Sequence, residues 1–117
     1  MGRMYRPVEL FSNGRSTIAV SIIDTGSDET VVSERIAKKL KAKLYGKFTA
    51  ICASQTKVVG KYADVKVKDI WSGLEALMEI GVSDIPFDTD DIDDEGLDVI
   101  LGVDFIQMTG LKIEFLD

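Results

Sequence analysis

Directly after the apolar run Ile18-Ala19-Val20-Ser21-Ile22-Ile23 stands the tetrad Asp24-Thr25-Gly26-Ser27. Aspartate, glycine and serine are turn formers, so the tetrad reads as a tight loop at the end of a strand, with a carboxylate in it. Any hydrolytic chemistry in this chain has to be carboxylate chemistry. The 117 residues include no histidine and one cysteine, Cys52. Ser-His-Asp and Cys-His hydrolytic sites need an imidazole base, so both are excluded in their usual form. One cysteine without histidine also cannot build the common three-ligand or four-ligand zinc sites. What remains is a carboxylate acting on water, alone or with an oxygen-binding metal.

The elements that must hold this aspartate follow from the local patterns. Val8-Glu9-Leu10-Phe11 and Thr17 to Ile23 flank Asn13-Gly14, the strongest short signal for a β-hairpin. The second of these strands runs straight into Asp24. Past the loop, Ser33 is a candidate cap for a short helix with Ile36, Ala37, Leu40 and Leu44 on its inner face and Lys38, Lys39, Lys41 and Lys43 outside. Strand patterns then return. Phe48 to Ala53 and Thr56 to Val59 pair across Ser54-Gln55, Ala63 to Lys68 alternates, and Ser72-Gly73 turns into Leu74 to Ile80. Leu97-Asp98-Val99-Ile100-Leu101 is an apolar strand stopping at Gly102, Asp104 to Met108 suits a helical turn, and Leu111 to Phe115 alternates as a final strand. With no repeat and no linker, residues 1–117 read as one domain, mainly β, a partly closed barrel with one or two short helices.

Composition narrows the partners. Apolar residues make up 45% of the chain and charged residues 29%, an ordinary globular balance. No apolar run approaches the roughly 20 residues that span a bilayer, and Met1 to Arg6 leads into no signal-type apolar block. A lone cysteine makes no internal disulfide, so the expected location is the reducing cytoplasm. The net charge of −6 is concentrated: Asp84, Asp88, Asp90, Asp91, Asp93, Asp94, Glu95 and Asp98 fall in one stretch without lysine or arginine. With those eight acids set aside, 12 acids face 14 bases, a balance that suggests no nucleic-acid surface.

An apolar strand entering Asp24-Thr25-Gly26-Ser27, followed by Thr30-Val31-Val32, resembles the active-site loop of the retropepsin-like (retroviral-type) aspartic proteases. Val99-Ile100-Leu101-Gly102-Val103-Asp104-Phe105-Ile106 resembles that family's second hallmark, apolar residues and then glycine, in the Ile-Leu-Gly-x-Asp-Phe form of its cellular and prokaryotic members. The stretch between is similar to the family's flap hairpin. Asp-Thr-Gly alone is a weak signal; the order of strand, triplet, helix, hairpin and apolar-Gly strand is the stronger one.

The resemblance implies a closed acid-protease barrel, one lobe per chain, assembled as a homodimer that cuts peptides or proteins without a cofactor. Asp24 would be the catalytic carboxylate, Thr25 would bond into the partner's loop, Gly26 would let the backbone approach, and Ser27 would donate to Asp24. Asp28 would bind substrate backbone, and Ala53, Ser54, Gln55 and Thr56 would form the flap tip over the substrate. Gly102 would pack beneath the active loop, with Ile100, Leu101, Phe105 and Ile106 in the core. Two departures stand out: Val103 replaces the arginine of retroviral members, and the flap tip has no glycine. The alternatives are a retropepsin-fold dimer that binds peptides without cutting them and a calcium-responsive interaction module. For the latter, Asp91-x-Asp93-x-Glu95-Gly96 faintly resembles a calcium loop, but its twelfth position is Gly102 where a glutamate is wanted.

Overall fold

A computed structural model describes residues 4–51, 57–84 and 98–112. Seven strands and two helices follow one another as β1 (Tyr5–Ser12), β2 (Arg15–Ile23), β3 (Val31–Val32), α1 (Glu34–Leu40), β4 (Tyr45–Ile51), β5 (Lys57–Asp69), β6 (Glu75–Val82), β7 (Val99–Leu101) and α2 (Val103–Thr109). The sheet order is β1-β2-β7-β3-β6-β5-β4, and β1 also pairs with β5. Six strands therefore close into a barrel, with β4 added outside the ring on β5. Closure leaves fewer exposed sheet edges.

The first hairpin forms where the sequence places it. Ser12 pairs with Arg15 across Asn13 and Gly14, whose φ angles of 52° and 69° give the turn that suits the twist of two-residue hairpins. Alternate residues of the barrel strands, including Val8, Leu10, Ala63, Val65, Val67 and Ile80, point inward and are buried. Helix α1 closes one end. The Ser33 hydroxyl accepts the Ile36 N–H at 3.3 Å, and Ile36, Ala37 and Leu40 join the core.

Three expectations are corrected. Leu44 lies beyond α1, which stops when Lys41 turns left-handed at φ 49°, and its side chain is exposed. Thr56 to Val59 and Ala63 to Lys68 are not separate strands: β5 runs unbroken from Lys57 to Asp69. The buried positions change parity along it, from Val58 to Ala63, Val65 and Val67, which looks like a break in the sequence. In the fold the strand leaves one core and enters another through its opposite face. Gly60 sits at this crossover because a Cβ there would meet the Val82 carbonyl oxygen at 1.9 Å. The third correction is the β4–β5 register. A two-residue Ser54-Gln55 turn would set Ile51 opposite Val58, whereas Ile51 stands opposite Lys57. A one-residue shift exchanges the faces of a strand, so Phe48 and Val58 share the buried side.

Residues Leu111 and Lys112 are not in a strand, and the remainder of the expected final strand lies outside the described residues. So do Cys52, the proposed flap tip Ala53 to Thr56, and the acidic stretch between Asp84 and Asp98. Among the described residues no helix is long and apolar enough to cross a membrane.

Candidate active site

Strand β7 lies between β2 and β3, parallel to the first and antiparallel to the second. The loop from Asp24 to Thr30 must therefore pass over the end of β7 to connect its two neighbours. Asp24 begins that passage, its N–H donating to the Leu101 carbonyl at 3.0 Å. The turn then closes locally: Ser27 N–H donates to the Asp24 carbonyl at 3.1 Å, and Gly26 N–H donates to Asp24 Oδ1 at 2.9 Å. An N–H aimed at one carboxylate oxygen fixes the side chain and leaves the second oxygen free to act. Asp24 is half-buried, while Thr25 and Gly26 are exposed beside it.

Ser27 does not meet Asp24 through its side chain. Its hydroxyl is buried and donates to the Glu29 carbonyl at 2.8 Å, because the turn directs it under the loop instead of toward the carboxylate. Gly102 lies against this underside. A Cβ on Gly102 would stand 2.6 Å from the Glu29 carbonyl carbon and 2.8 Å from the Ser27 carbonyl oxygen, so only glycine fits without moving backbone.

The main clamp on the loop comes from residues that sequence reasoning left without a site role. Asp104, in the first turn of α2, accepts the Thr30 N–H on Oδ2 at 3.0 Å and the Thr30 hydroxyl on Oδ1 at 2.7 Å. The same Thr30 hydroxyl oxygen accepts the Gly102 N–H at 3.1 Å. Val103 N–H donates to the Ser27 carbonyl at 2.8 Å and Asp104 N–H to the Asp28 carbonyl at 3.3 Å. Two backbone N–H groups and the Asp104 carboxylate thus tie the loop to the start of α2. The sequence held one usable signal, an aspartate at the start of a short helical turn, which is a common place for a capping carboxylate.

A cleft of about 420 Å³ opens beside the loop, walled by Asp28 and Glu29 on one side and by Thr49, Ala50 and Ile51 of β4 on the other. The β4–β5 hairpin is held over this side by a second apolar cluster, Phe48, Val58, Val31 and Ile100, with Tyr62 edge-on to Phe48 at 5.3 Å. Asp28 thus stands in the wall of the cleft. Glu29 and the three β4 residues were not anticipated, since which strand faces the loop is decided by the barrel. Burial, then the charges of Asp104 and Glu79, pushes the Glu29 carboxyl above the usual carboxylate range, although a bond from Tyr62 draws it the other way. The cleft is acidic, and no group of three metal-ligating side chains converges among the described residues.

No family model matches the sequence, and no curated protein matches it either. Among solved structures, the fold is similar to the crystal structure of the retroviral protease-like domain of Ddi1 from Leishmania major. The likeness has a TM-score of 0.59, covers 98% of this chain and 83% of that chain, and carries 12% sequence identity. At that identity it is a likeness of fold: a closed six-strand barrel with two short helices, of the retropepsin-like kind.

Proposed function

We propose that the chain is one subunit of a homodimeric aspartic endopeptidase, with Asp24 as the catalytic carboxylate of each subunit. The observation that carries this reading is the placement of Asp24. It lies half-buried at the exit of β2, one oxygen held by the Gly26 N–H, in a loop clamped from below by Gly102, Thr30 and Asp104. The absence of histidine from the sequence removes the usual competing bases.

The chemistry demands a second carboxylate. One ionised aspartate takes a proton from water as its oxygen attacks the peptide carbonyl carbon, while a protonated one gives its proton to the carbonyl oxygen. In the collapse of the tetrahedral diol the aspartate that took the water proton gives it to the amine nitrogen as the C–N bond breaks. One diol hydroxyl returns its proton to the other aspartate as the carboxylic acid forms, which restores the shared proton. Two carboxylates in contact share one proton and so fill both roles. The chain contains one Asp-Thr-Gly triplet. The partner is therefore a second copy, related by a two-fold axis that sets each Asp24 beside its mate. The exposed Thr25 and Gly26 suit a loop that meets its own copy. Substrate would lie along Asp28 and β4, and the flap role of Ala53, Ser54, Gln55 and Thr56 belongs to the same proposal.

Turnover of a mixed peptide library tests this reading. The native chain should cleave, and Asp24→Asn should lower kcat/KM by about 10⁴-fold or more while the melting temperature stays close to native. Cleavage retained in Asp24→Asn, with contaminating protease excluded, removes Asp24 from the chemistry. A native chain that binds peptides and never cuts them leaves a binding module on this fold.

A further inference from the structure

A second concavity, about 480 Å³, lies between α1, the β4–β5 strands and the end of β6, away from the Asp24 loop. Its rim carries Lys38, Lys47 and Lys61 against the single acid Glu34, and Leu44 and Val59 contribute apolar surface to it. Both of those side chains are exposed, Leu44 to 43% and Val59 to 54%. None of the three lysines has an ion-pair partner among the described residues. Outside the acidic stretch the chain is close to charge balance, and three lysines against one acid make this groove locally basic.

Among the described residues the groove shares no lining residue with the cleft beside the Asp24 loop. Val59 pairs with Thr49 and is exposed, while the adjacent Val58 is buried with Val31, Phe48 and Ile100, so the apolar surface that Val59 offers is not part of the core. The cleft carries the acids Asp28 and Glu29, whereas the groove carries the lysines. We propose that the lysine-lined groove is a docking site for an acidic peptide segment bearing an aliphatic side chain, presented by a partner protein. Lysine ammonium groups are mobile point charges that suit several carboxylates without demanding one geometry. Leu44 and Val59 give an aliphatic side chain an exposed apolar surface to cover. The opposite charge of the cleft keeps such a segment out of the Asp24 site, so docking and cleavage use different surfaces. This proposal does not depend on Asp24 being catalytic.

Fluorescence anisotropy with a labelled twelve-residue peptide of aspartate and glutamate carrying two leucines tests it on the full chain. Two reference peptides replace the leucines by serine or the acids by their amides. The native protein should bind the first peptide saturably, weaken as salt rises, and bind both references at least tenfold more weakly. Lys47→Glu with Lys61→Glu should also lose at least tenfold. If that pair disturbs folding, judged by its melting curve, Leu44→Ser replaces it and should lose severalfold. Equal binding by the charge-reversed protein, or by the serine reference, overturns the proposal. So does the absence of saturable binding. A variant with Asp88, Asp90, Asp91, Asp93 and Asp94 changed to Asn addresses the chain's own acids. Binding that appears only in this variant would make those acids the occupant and reject the partner.

Discussion

Glu29 sits one residue past Asp28, half-buried in the wall of the cleft, where burial and the neighbouring Asp104 and Glu79 carboxylates raise its titration. An acid whose folded titration is raised costs stability once it ionises. The cost appears as pH rises above the unfolded value of about 4.3 and is complete above the raised folded value. Glu29→Gln should therefore stabilise the protein at pH 7, and the gain should vanish at about pH 3.5. Its size should stay below about 1 kcal/mol, since solvent screens a half-buried group. Urea melts at the two pH values check this, and a variant that is less stable at pH 7 would assign Glu29 a bonding role that glutamine cannot fill. Asp69 behaves in the opposite sense. Burial would raise it, but bonds from the Arg6 guanidinium, the Ser72 hydroxyl and the Ser72 N–H outweigh burial and hold it below the usual range.

Among the elements, the β7–Gly102–α2 segment does the most to shape the candidate site. Thr30→Val would remove the hydroxyl that links the Gly102 N–H to Asp104 Oδ1, leaving a buried N–H without its acceptor. Such a loss costs about 1–3 kcal/mol. If Asp24 is catalytic, activity should fall as well, because the loop that aims it rests on this link. Gly102→Ala is the steric counterpart. Its methyl would press on the Ser27 and Glu29 backbone at distances real contacts do not reach, so the loop has to move. A loss of about 1–3 kcal/mol is expected from overpacking. Chemical denaturation gives the stability term for both variants, and kcat/KM at a temperature where each is folded gives the other. Native stability in Gly102→Ala would show that the loop has slack in solution. Readable in advance here were the strand entering Asp24, the glycine under the loop and the capped helix α1. The Thr30–Asp104 bonds join residues 74 positions apart in the chain, and no local pattern marks such a pair.

For the whole molecule, barrel closure depends on β1 meeting β5, with Val8 opposite Asp69. Arg6 from β1 holds Asp69 through Nε at 2.9 Å, and its guanidinium lies 4.8 Å from the Trp71 ring centre. The Asp69 side chain is fully buried. Asp69→Ala would leave Arg6 without its counter-charge beside the seam, and breaking a buried pair in this way costs about 3–5 kcal/mol. Because the folded titration of Asp69 is lowered, its contribution is present above about pH 4 and is lost as pH falls through the folded value. Acid unfolding monitored by tryptophan fluorescence should begin at higher pH in Asp69→Ala than in the native chain. Assembly is the other property at this scale. Sedimentation at micromolar concentration should give about twice the 12.9 kDa chain mass, and a fully active monomer would end the shared-dyad mechanism.

The sequence alone determined the features written within a few residues of one another. These are the Asn13-Gly14 hairpin, the tight turn carrying Asp24, the cap at Ser33, and the exclusion of imidazole-based hydrolytic sites by the absence of histidine. Turn geometry, capping and periodicity are local interactions, so they survive as patterns in the chain. Tertiary structure decided what lies opposite what. It set the one-residue shift between β4 and β5, the uninterrupted course of β5 from one core to another, and the pairing of Asp104 with Thr30. It also turned the Ser27 hydroxyl under the loop and put Thr49, Ala50 and Ile51 across the cleft from Asp28. Each of these depends on closing a ring of strands, and closure chooses registers and neighbours by packing the whole barrel at once.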